Sequence, residues 1–356
     1  MDETDGETGA DARTTRAGVV DAFAAEPLAG APVGVVPDAG DVDDGTARAL
    51  ARELGGGGTA FVDPADGPDA SRRLRYVPAG VHRGDRAPAS READPGDGGD
   101  TAHSGNGETA GEDAETEPAD DEAAEPPIRA LVAAGARLLA DDRIDPGDHA
   151  VETAAGVVDV SLTADGVVWV DRPERCVETV DPDYDRVGDA LGIDPAALRD
   201  VGADLSTAVA SVGRPFLVVP VNFLSHLSGA DPDGGAVAAL ADTYDVAGVY
   251  PVTFDAVDAD ATLHARCFCP TAGGAFEDPV TGAAAGAAGA YLGAVDAFDG
   301  DPPEELRVEQ GYFVDRPGVV RVRVTDGGVR VGGGAVAALD GRATLPAGDD
   351  DDILVA

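Results

Sequence analysis

The two halves of the chain repeat one order of strand-like and helix-like segments, and this repeat limits the folds available to it. The first half runs AGAPVGVVP, GTAFVDP and RLRYVPAG, then the alanine-rich IRALVAAGARLLADD, then VETAAGVVDVSL and GVVWVDRP. The second half runs VGRPFLVVP, AGVYPVT and LHARCFCPTAGG, then TGAAAGAAGAYLGA, then VEQGYFVDRPGVVRVRV and GVRVGGGAVAAL. Strand-rich runs flank one small-residue helix in each half, which predicts two similar α+β domains from a duplication.

Both predicted central helices lack a polar face. Alanine and glycine occupy most of their positions, so we expect each helix to be buried on all sides by a sheet wrapped around it. Shorter helices are predicted at VDDGTARALARELG, YDRVGDALG and DPAALRDVG, where aspartates precede apolar residues spaced three and four apart.

Composition divides the chain further. Residues 1–16 read as an acidic disordered leader, and residues 346–356 as an acidic tail. Between them we expect an N-terminal domain at 17–180 and a C-terminal domain at 181–345. Residues 87–125 contain almost no large apolar side chain, so this stretch is expected to be a disordered acidic insertion within a loop of the first domain.

The charge balance excludes several classes of function. The chain has 68 acidic and 25 basic residues, a formal net charge of −43 and no lysine. Phosphate binding needs basic patches, so nucleic acid is not an expected partner, and Schiff-base chemistry through lysine is excluded. The balance is typical of a halophilic protein in a salt-rich cytoplasm, where charge repulsion is screened. No apolar run approaches membrane-spanning length, so a cytoplasmic, membrane-free protein is expected.

The three cysteines do not resemble a disulfide framework or a metal site. Cys267 and Cys269 lie two apart on a predicted strand and should face the same side, while Cys176 is remote in sequence. The five scattered histidines supply no recognisable ligand spacing. We therefore expect small core residues and no metal.

The segment FEDPVTGAAAG, residues 276–286, carries the strongest functional signal. Two adjacent carboxylates, Glu277 and Asp278, precede the small-residue helix. A helix N-terminus offers unpaired N–H groups and partial positive charge, so it can hold a substrate carboxylate beside an acid or base. The alternative is that Asp278 only caps the helix, with Pro279 in the first helical position.

The order of motifs resembles the PhzF family, named for a phenazine-biosynthesis isomerase, within the diaminopimelate epimerase-like fold. The matching segments are VDAFAAEPLAGAPVGVVPDA, ARELGGGGTAFV, LRYVPAG, LHARCFCPTAGGAFEDPVTGAAAGAAGAYL and VEQGYFVDRPGVVRVRV. The resemblance implies two pseudo-symmetric domains, each a curved, mostly antiparallel sheet around a central helix, with a cleft between them. It also implies a cofactor-free isomerase or epimerase acting on a small carboxylate, with a homodimer as the assembly.

Carried over by position, the resemblance implies Asp278 as the catalytic residue. It implies a set of substrate-binding positions: Glu277, Thr281, Gly282, Ala283 and Thr59. Three family positions are degenerate here: Gly58 replaces the acid/base glutamate, Ile128 aligns with a histidine, and Ala283 replaces a serine. Ala31 likewise replaces an asparagine.

These departures leave two functions open. One is a divergent isomerase in which Asp278, with Glu277 or another carboxylate, transfers the proton. The other is an inactive member that binds a small anionic metabolite or a protein partner. A third interpretation places His82 or Glu108 of the insertion at the site.

Three further residues have a structural and a functional interpretation. Arg266 and Arg75 precede the two helix entries and either steer an anionic substrate or pair with carboxylates. Trp169 alternates with valines, and packing is expected of it in preference to ligand stacking.

Overall fold

The computed structural model describes residues 13–40, 42–79, 125–199, 201, 205–271 and 274–346. Its first half contains seven strands and two helices among the described residues. These are β1 (Thr14–Ala22), β2 (Ala31–Val36), α1 (Asp44–Leu54), β3 (Thr59–Pro64), β4 (Arg72–Val77), α2 (Ile128–Ala140), β5 (Gly147–Thr153), β6 (Gly156–Leu162) and β7 (Val168–Arg172).

Within the described part of the chain, the second half adds eleven strands, five α-helices and a 3-10 helix at Tyr312–Val314. They are β8 (Cys176–Thr179), α3 (Tyr184–Leu191), α4 (Pro195–Arg199), β9 (Ala208–Ser211), β10 (Pro215–Pro220), α5 (Leu224–Ser228), α6 (Gly234–Tyr244), β11 (Val249–Thr253), β12 (Leu263–Ala265), β13 (Phe268–Thr271), β14 (Gly274–Glu277), α7 (Gly282–Ala294), β15 (Leu306–Gln310), β16 (Gly318–Thr325), β17 (Gly328–Gly333) and β18 (Ala335–Thr344).

Strand pairing repeats in the two halves. In the first, β1–β2 is antiparallel, β2–β3 parallel, β3–β4 antiparallel, β4–β5 parallel, and β5–β6 and β6–β7 antiparallel. The second follows the same alternation through β9–β10, β10–β11, β11–β12, β12–β15, β15–β16 and β16–β17. The predicted α+β architecture of two related, mostly antiparallel halves is therefore confirmed.

The halves exchange one strand each across the domain boundary expected at residue 180. Strand β8 follows β7 in sequence but pairs with β9 of the second half. Strand β18 lies at the end of the chain but pairs with β1 of the first half. Strands β7 and β17 also pair with each other, so the two sheets form one continuous surface. A linear division at residue 180 does not follow this pairing.

Each half wraps its sheet around one central helix, as predicted. In α2, nine residues including Arg137 are buried, and in α7 ten of thirteen residues are buried. Glycine permits the closest approaches of α7 to the sheet. A Cβ at Gly286 would lie 2.7 Å from Val331 Cγ2, and one at Gly289 would lie 2.6 Å from Val322 Cγ1. Small residues are therefore required for a helix to fit inside this sheet.

Other expectations had mixed outcomes. The three short helices predicted from aspartate-led patterns are present as α1, α3 and α4, and Asp43 and Asp183 cap the first two. The β13–β14 hairpin and the helices α5 and α6 were not predicted. Strand β1 begins at Thr14, so the expected leader overlaps it by three residues. Most of the predicted insertion and tail lies outside the described residues.

Replacing Gly286 by alanine tests the packing of α7. We expect the free energy of unfolding to fall, because overpacking costs about 1–3 kcal/mol and exceeds the helix-propensity gain of about 1 kcal/mol. Gly293→Ala is the matched control, since its Cβ would lie 3.4 Å from the nearest atom, Val324 Cγ1. Denaturant unfolding in high salt measures both. Equal stability of the two variants would contradict the packing argument.

Candidate active site

The N-termini of the two central helices meet at the centre of the molecule. Gly282 opens α7 and Ile128 opens α2, and a Cβ at Gly282 would lie 3.3 Å from Ile128 Cβ and 2.9 Å from Phe23 Cζ. Any larger residue at position 282 would separate the helices. The positive ends of two helix dipoles are thus brought together, which favours negative charge at this point.

Asp278 is the negative charge at this junction. Its side chain is 4 % exposed, and its two carboxylate oxygens accept hydrogen bonds from Arg129 Nη1 at 2.8 and 3.1 Å. The Thr281 hydroxyl donates to Asp278 Oδ2 at 2.8 Å, and the Asp278 N–H donates to the carbonyl of Cys267. The carboxylate is therefore held by partners on both halves of the molecule.

Gln310 fixes the loop that carries Asp278. Its amide Nε2 donates to the Asp278 carbonyl at 2.7 Å, and its Oε1 accepts from the Thr281 N–H and from the Tyr250 hydroxyl. Gln310 is fully buried. Thr281, expected to bind substrate, thus belongs to the network that orients Asp278.

Asp278 is not the cap of α7, so the alternative interpretation of the motif is wrong. The helix begins at Gly282, and its N-cap residue is Thr281, whose side chain makes no capping hydrogen bond. Asp278 lies three residues earlier, where its carboxylate is directed to Arg129 instead. The motif therefore places a carboxylate in front of the helix.

Arg129 is the functional residue that the sequence analysis missed. It is the second residue of α2 and is 22 % exposed, more than its partner Asp278. Alignment with the family drew attention to Ile128, which is buried against Gly282. A signal was present, because a cation in the first turn faces the positive end of the helix dipole and needs an anionic partner.

Gly58 leaves no space for a side chain. Its φ is +141°, and a Cβ there would lie 2.5 Å from the Tyr76 hydroxyl and 2.7 Å from the carbonyl oxygen of Val77. The neighbouring Gly57 lies against Arg129, since its Cβ would be 3.4 Å from Arg129 Cζ. Gly57 therefore packs against Arg129, and the Tyr76 hydroxyl fills the space that a side chain at position 58 would need.

Two of the expected substrate-binding residues, Glu277 and Thr59, lie against other protein groups in the structure. Arg266 binds both oxygens of Glu277, at 3.0 and 2.6 Å, and Glu277 is 10 % exposed. Thr59 is fully buried, and its hydroxyl lies against Gly34 of β2. Arg266 and Arg75 both pair with carboxylates, Glu277 and Asp44, as their structural interpretation predicted.

Cys267 lies close to Asp278, since its carbonyl oxygen accepts a hydrogen bond from the Asp278 N–H. Ala283, in the first turn of α7, is half-buried. The Sγ atoms of Cys267 and Cys269 are 3.8 Å apart, so the two thiols share one side as expected. Burial, the Cys269 thiol and the charge of Asp278 raise the pKa of the Cys267 thiol well above its ordinary value. Cys267 is therefore a neutral thiol at physiological pH.

His264 and Glu309 form a buried pair. His264 is fully buried, and its Nδ1 lies 2.7 Å from Glu309 Oε1. Hydrogen bonds from His264 and from the N–H groups of Val257 and Asp258 lower the pKa of Glu309 against the opposing effect of burial.

Trp169 is 2 % exposed beneath the guanidinium groups of Arg321, Arg323 and Arg330, so it packs as expected. His82 and Glu108 lie outside the described residues.

Two surface clefts lie elsewhere. One, of about 560 Å³, is lined by Arg172, Asp171 and Arg330, and the other, of about 490 Å³, by Phe298 and Val324 among others. Neither is lined by Asp278 or Arg129. Among the described residues, no group of three or more His, Cys, Asp or Glu side chains is placed to hold a metal ion.

Comparison with known proteins identifies the family. Residues 20–80 and 129–341 match the family PhzC-PhzF, described as phenazine biosynthesis-like protein. The chain therefore belongs to this family. The match omits residues 81–128, which contain the expected insertion.

Relatives and solved structures agree with this assignment. An uncharacterized isomerase of Mesorhizobium japonicum is 29 % identical over 90 % of this chain and 96 % of its own length. An uncharacterized isomerase of Bacillus subtilis is 28 % identical over 51 % of this chain and 61 % of its own length. A predicted epimerase of Pseudomonas aeruginosa is 26 % identical, with a TM-score of 0.64, covering 94 % of this chain and 99 % of that one.

The fold is shared more widely. A Bacillus anthracis phenazine biosynthesis protein of the PhzF family has a TM-score of 0.71 at 21 % identity, covering 93 % of this chain and 99 % of that one. A hydroxyproline epimerase of Agrobacterium vitis has a TM-score of 0.52 at 14 % identity, covering 95 % of this chain and 93 % of that one. Within the described residues, no helix is both long and apolar enough to cross a membrane.

Gly58→Ala tests whether Tyr76 fills the space in front of position 58. We expect a loss of about 2 kcal/mol or more in the free energy of unfolding, because backbone strain and the close contact add. Gly55→Ala is the control: its φ is +68° but no atom lies within 4 Å of its Cβ position. Gly55→Ala should lose less than Gly58→Ala, because only backbone strain of about 1–3 kcal/mol applies there. Equal losses in denaturant unfolding would contradict the contact with Tyr76.

Proposed function

We propose that this family member is a cofactor-free isomerase that moves a proton on a small carboxylate substrate. Arg129 binds the substrate carboxylate, and Asp278 acts as the acid/base residue. The observation that carries the proposal is the Arg129–Asp278 ion pair at the meeting point of the two helix N-termini. An arginine and a carboxylate in a water-poor site are the two groups that this chemistry requires.

The exposed fractions of Arg129 and Asp278 indicate which of the two residues the substrate contacts first. Arg129 is 22 % exposed whereas Asp278 is 4 % exposed, so an anion arriving from solvent meets Arg129 first. The substrate carboxylate then replaces Asp278 as the ion-pair partner of Arg129. A carboxylate that loses its cation in a dry site gains affinity for a proton, so binding of the substrate prepares Asp278 as a base.

The adjacent backbone supports the same role. Gly282 and Ala283 open α7, where N–H groups and the helix dipole favour a substrate carboxylate or the enediolate formed from it. Thr281 orients Asp278 through its hydroxyl. The substitution of serine by Ala283 removes a hydroxyl but leaves the backbone donor.

A second candidate function is favoured by Gly58. The family resemblance places an acid/base glutamate at this position, and the Tyr76 hydroxyl lies where a side chain would begin. A positioned base contributes about a hundredfold to ten-thousandfold in rate. If its loss is not compensated, the protein binds a small anionic metabolite at Arg129, or a protein partner, without turning anything over.

The remaining expectations complete the proposal. We propose that the protein works without a cofactor, in the cytoplasm, under the high salt that its acidic composition suits. A homodimer is proposed from the family resemblance alone.

Hydrogen exchange in deuterated, high-salt buffer tests the function. The probes are the proteinogenic amino acids, L-malate, L-lactate and vinylacetate, each followed by NMR at the carbon next to the carboxylate. At least one should exchange with the wild type. Asp278→Asn should lower exchange at least about a hundredfold, and Arg129→Gln should raise KM because it removes the anchor.

Asp171→Asn is the control for these variants. Asp171 also pairs with an arginine, Arg330, but both side chains are on the surface away from Asp278. It should exchange at the wild-type rate. A probe that binds the wild type without exchange favours the second candidate function, and exchange unaffected by Asp278→Asn contradicts the role given to Asp278.

A further inference from the structure

Tyr76 occupies the space of the missing glutamate. It lies on β4, where it is paired with Ala60 of β3, two positions beyond Gly58. A Cβ at Gly58 would lie 2.5 Å from the Tyr76 hydroxyl oxygen and 2.7 Å from its Cζ. The phenol therefore stands where a side chain from position 58 would start. We propose that Tyr76 is the second proton-transfer residue of this site and replaces the glutamate expected at position 58.

The contacts of Tyr76 place it close to the Arg129–Asp278 ion pair, with Gly57 between Tyr76 and Arg129. Its hydroxyl donates to the carbonyl oxygen of Gly57 at 2.5 Å. Gly57 in turn lies against the guanidinium of Arg129, which holds Asp278. The Tyr76 and Arg129 side chains are both half-buried, and both lie against Gly57.

The electrostatic surroundings of Tyr76 and Asp278 indicate which of the two residues donates the proton. Burial raises the pKa of Tyr76 above its ordinary value near 10; Asp278 raises it further, and Arg129 and Arg214 oppose the rise. Tyr76 is therefore a protonated phenol at neutral pH and serves as the donor. Asp278, the carboxylate that pairs with Arg129 in the free protein, serves as the acceptor. The two groups are complementary, as a two-residue proton transfer requires.

The step balances without a co-reactant, and it rests on the proposed function. Asp278 takes the proton from the carbon next to the substrate carboxylate, and the C–H electron pair enters an enediolate held by Arg129. The enediolate forms a new C–H bond with the Tyr76 proton, on the opposite face or at an allylic carbon. Asp278 is then protonated and Tyr76 is a phenolate. Transfer of the proton from Asp278 to Tyr76 through water restores both residues.

Separate measurement of exchange and isomerisation tests the proposal. Tyr76→Phe keeps the ring but removes the hydroxyl, so Asp278 can still remove and return a proton. We expect deuterium exchange into the substrate to persist, whereas isomer formation, followed by chiral chromatography or by crotonate formation from vinylacetate, falls at least about a hundredfold. KM should stay within a fewfold of the wild type, because Arg129 is intact.

Tyr244→Phe is the matched control, since Tyr244 ends α6 in the other half of the molecule. It should leave both rates unchanged. Wild-type isomer formation by Tyr76→Phe overturns the role of Tyr76 and leaves the proposed function standing. If the wild type exchanges none of the probes, the proposed function fails and the role of Tyr76 fails with it.

Discussion

The contact between Arg129 and Asp278 links the two halves of this molecule at one point. Arg129 comes from the first central helix and Asp278 from the loop before the second. Each of the two charges stabilises the other. A cation in the first turn of a helix is disfavoured by the dipole, and a carboxylate that is 4 % exposed needs a partner. The ion pair satisfies both, and Thr281 and Gln310 hold its geometry from the other side.

This contact is possible because the helices can meet end to end. Gly282 is the residue that permits it, since any side chain there would strike Ile128 and Phe23. The repeated strand pairing then places the two helices in equivalent positions, and the exchange of β8 and β18 ties each sheet to the other half. Each half thus supplies one helix N-terminus to this junction, where Arg129 of one half meets Asp278 of the other.

Local patterns in the sequence predicted much of this architecture. The repeat of segments gave the two halves, the alanine-rich runs gave the buried central helices, and aspartate-led patterns gave α1, α3 and α4. The exchange of strands was missed because pairing between residues far apart in sequence leaves no local pattern. The β13–β14 hairpin has no clear signal in the sequence, because the ARCFCP run predicts a single strand.

The site was predicted less completely, for similar reasons. Asp278 was found from its motif, but Arg129 was hidden beside the position where the family resemblance expected a histidine. The contacts of Glu277 with Arg266 and of Thr59 with Gly34 were not predicted. Tyr76 gave no signal, because only the folded structure brings its hydroxyl to the Cβ position of Gly58. Which polar groups face one another is a tertiary property.

A double-mutant cycle on the ion pair tests the central claim most directly. The free energies of unfolding of the wild type, Arg129→Met, Asp278→Asn and the double variant give the coupling between the two side chains. If this pair links the halves, the coupling should be about 1–3 kcal/mol, with the double variant less destabilised than the sum of the single ones. Effects that add to within about 0.5 kcal/mol would contradict it.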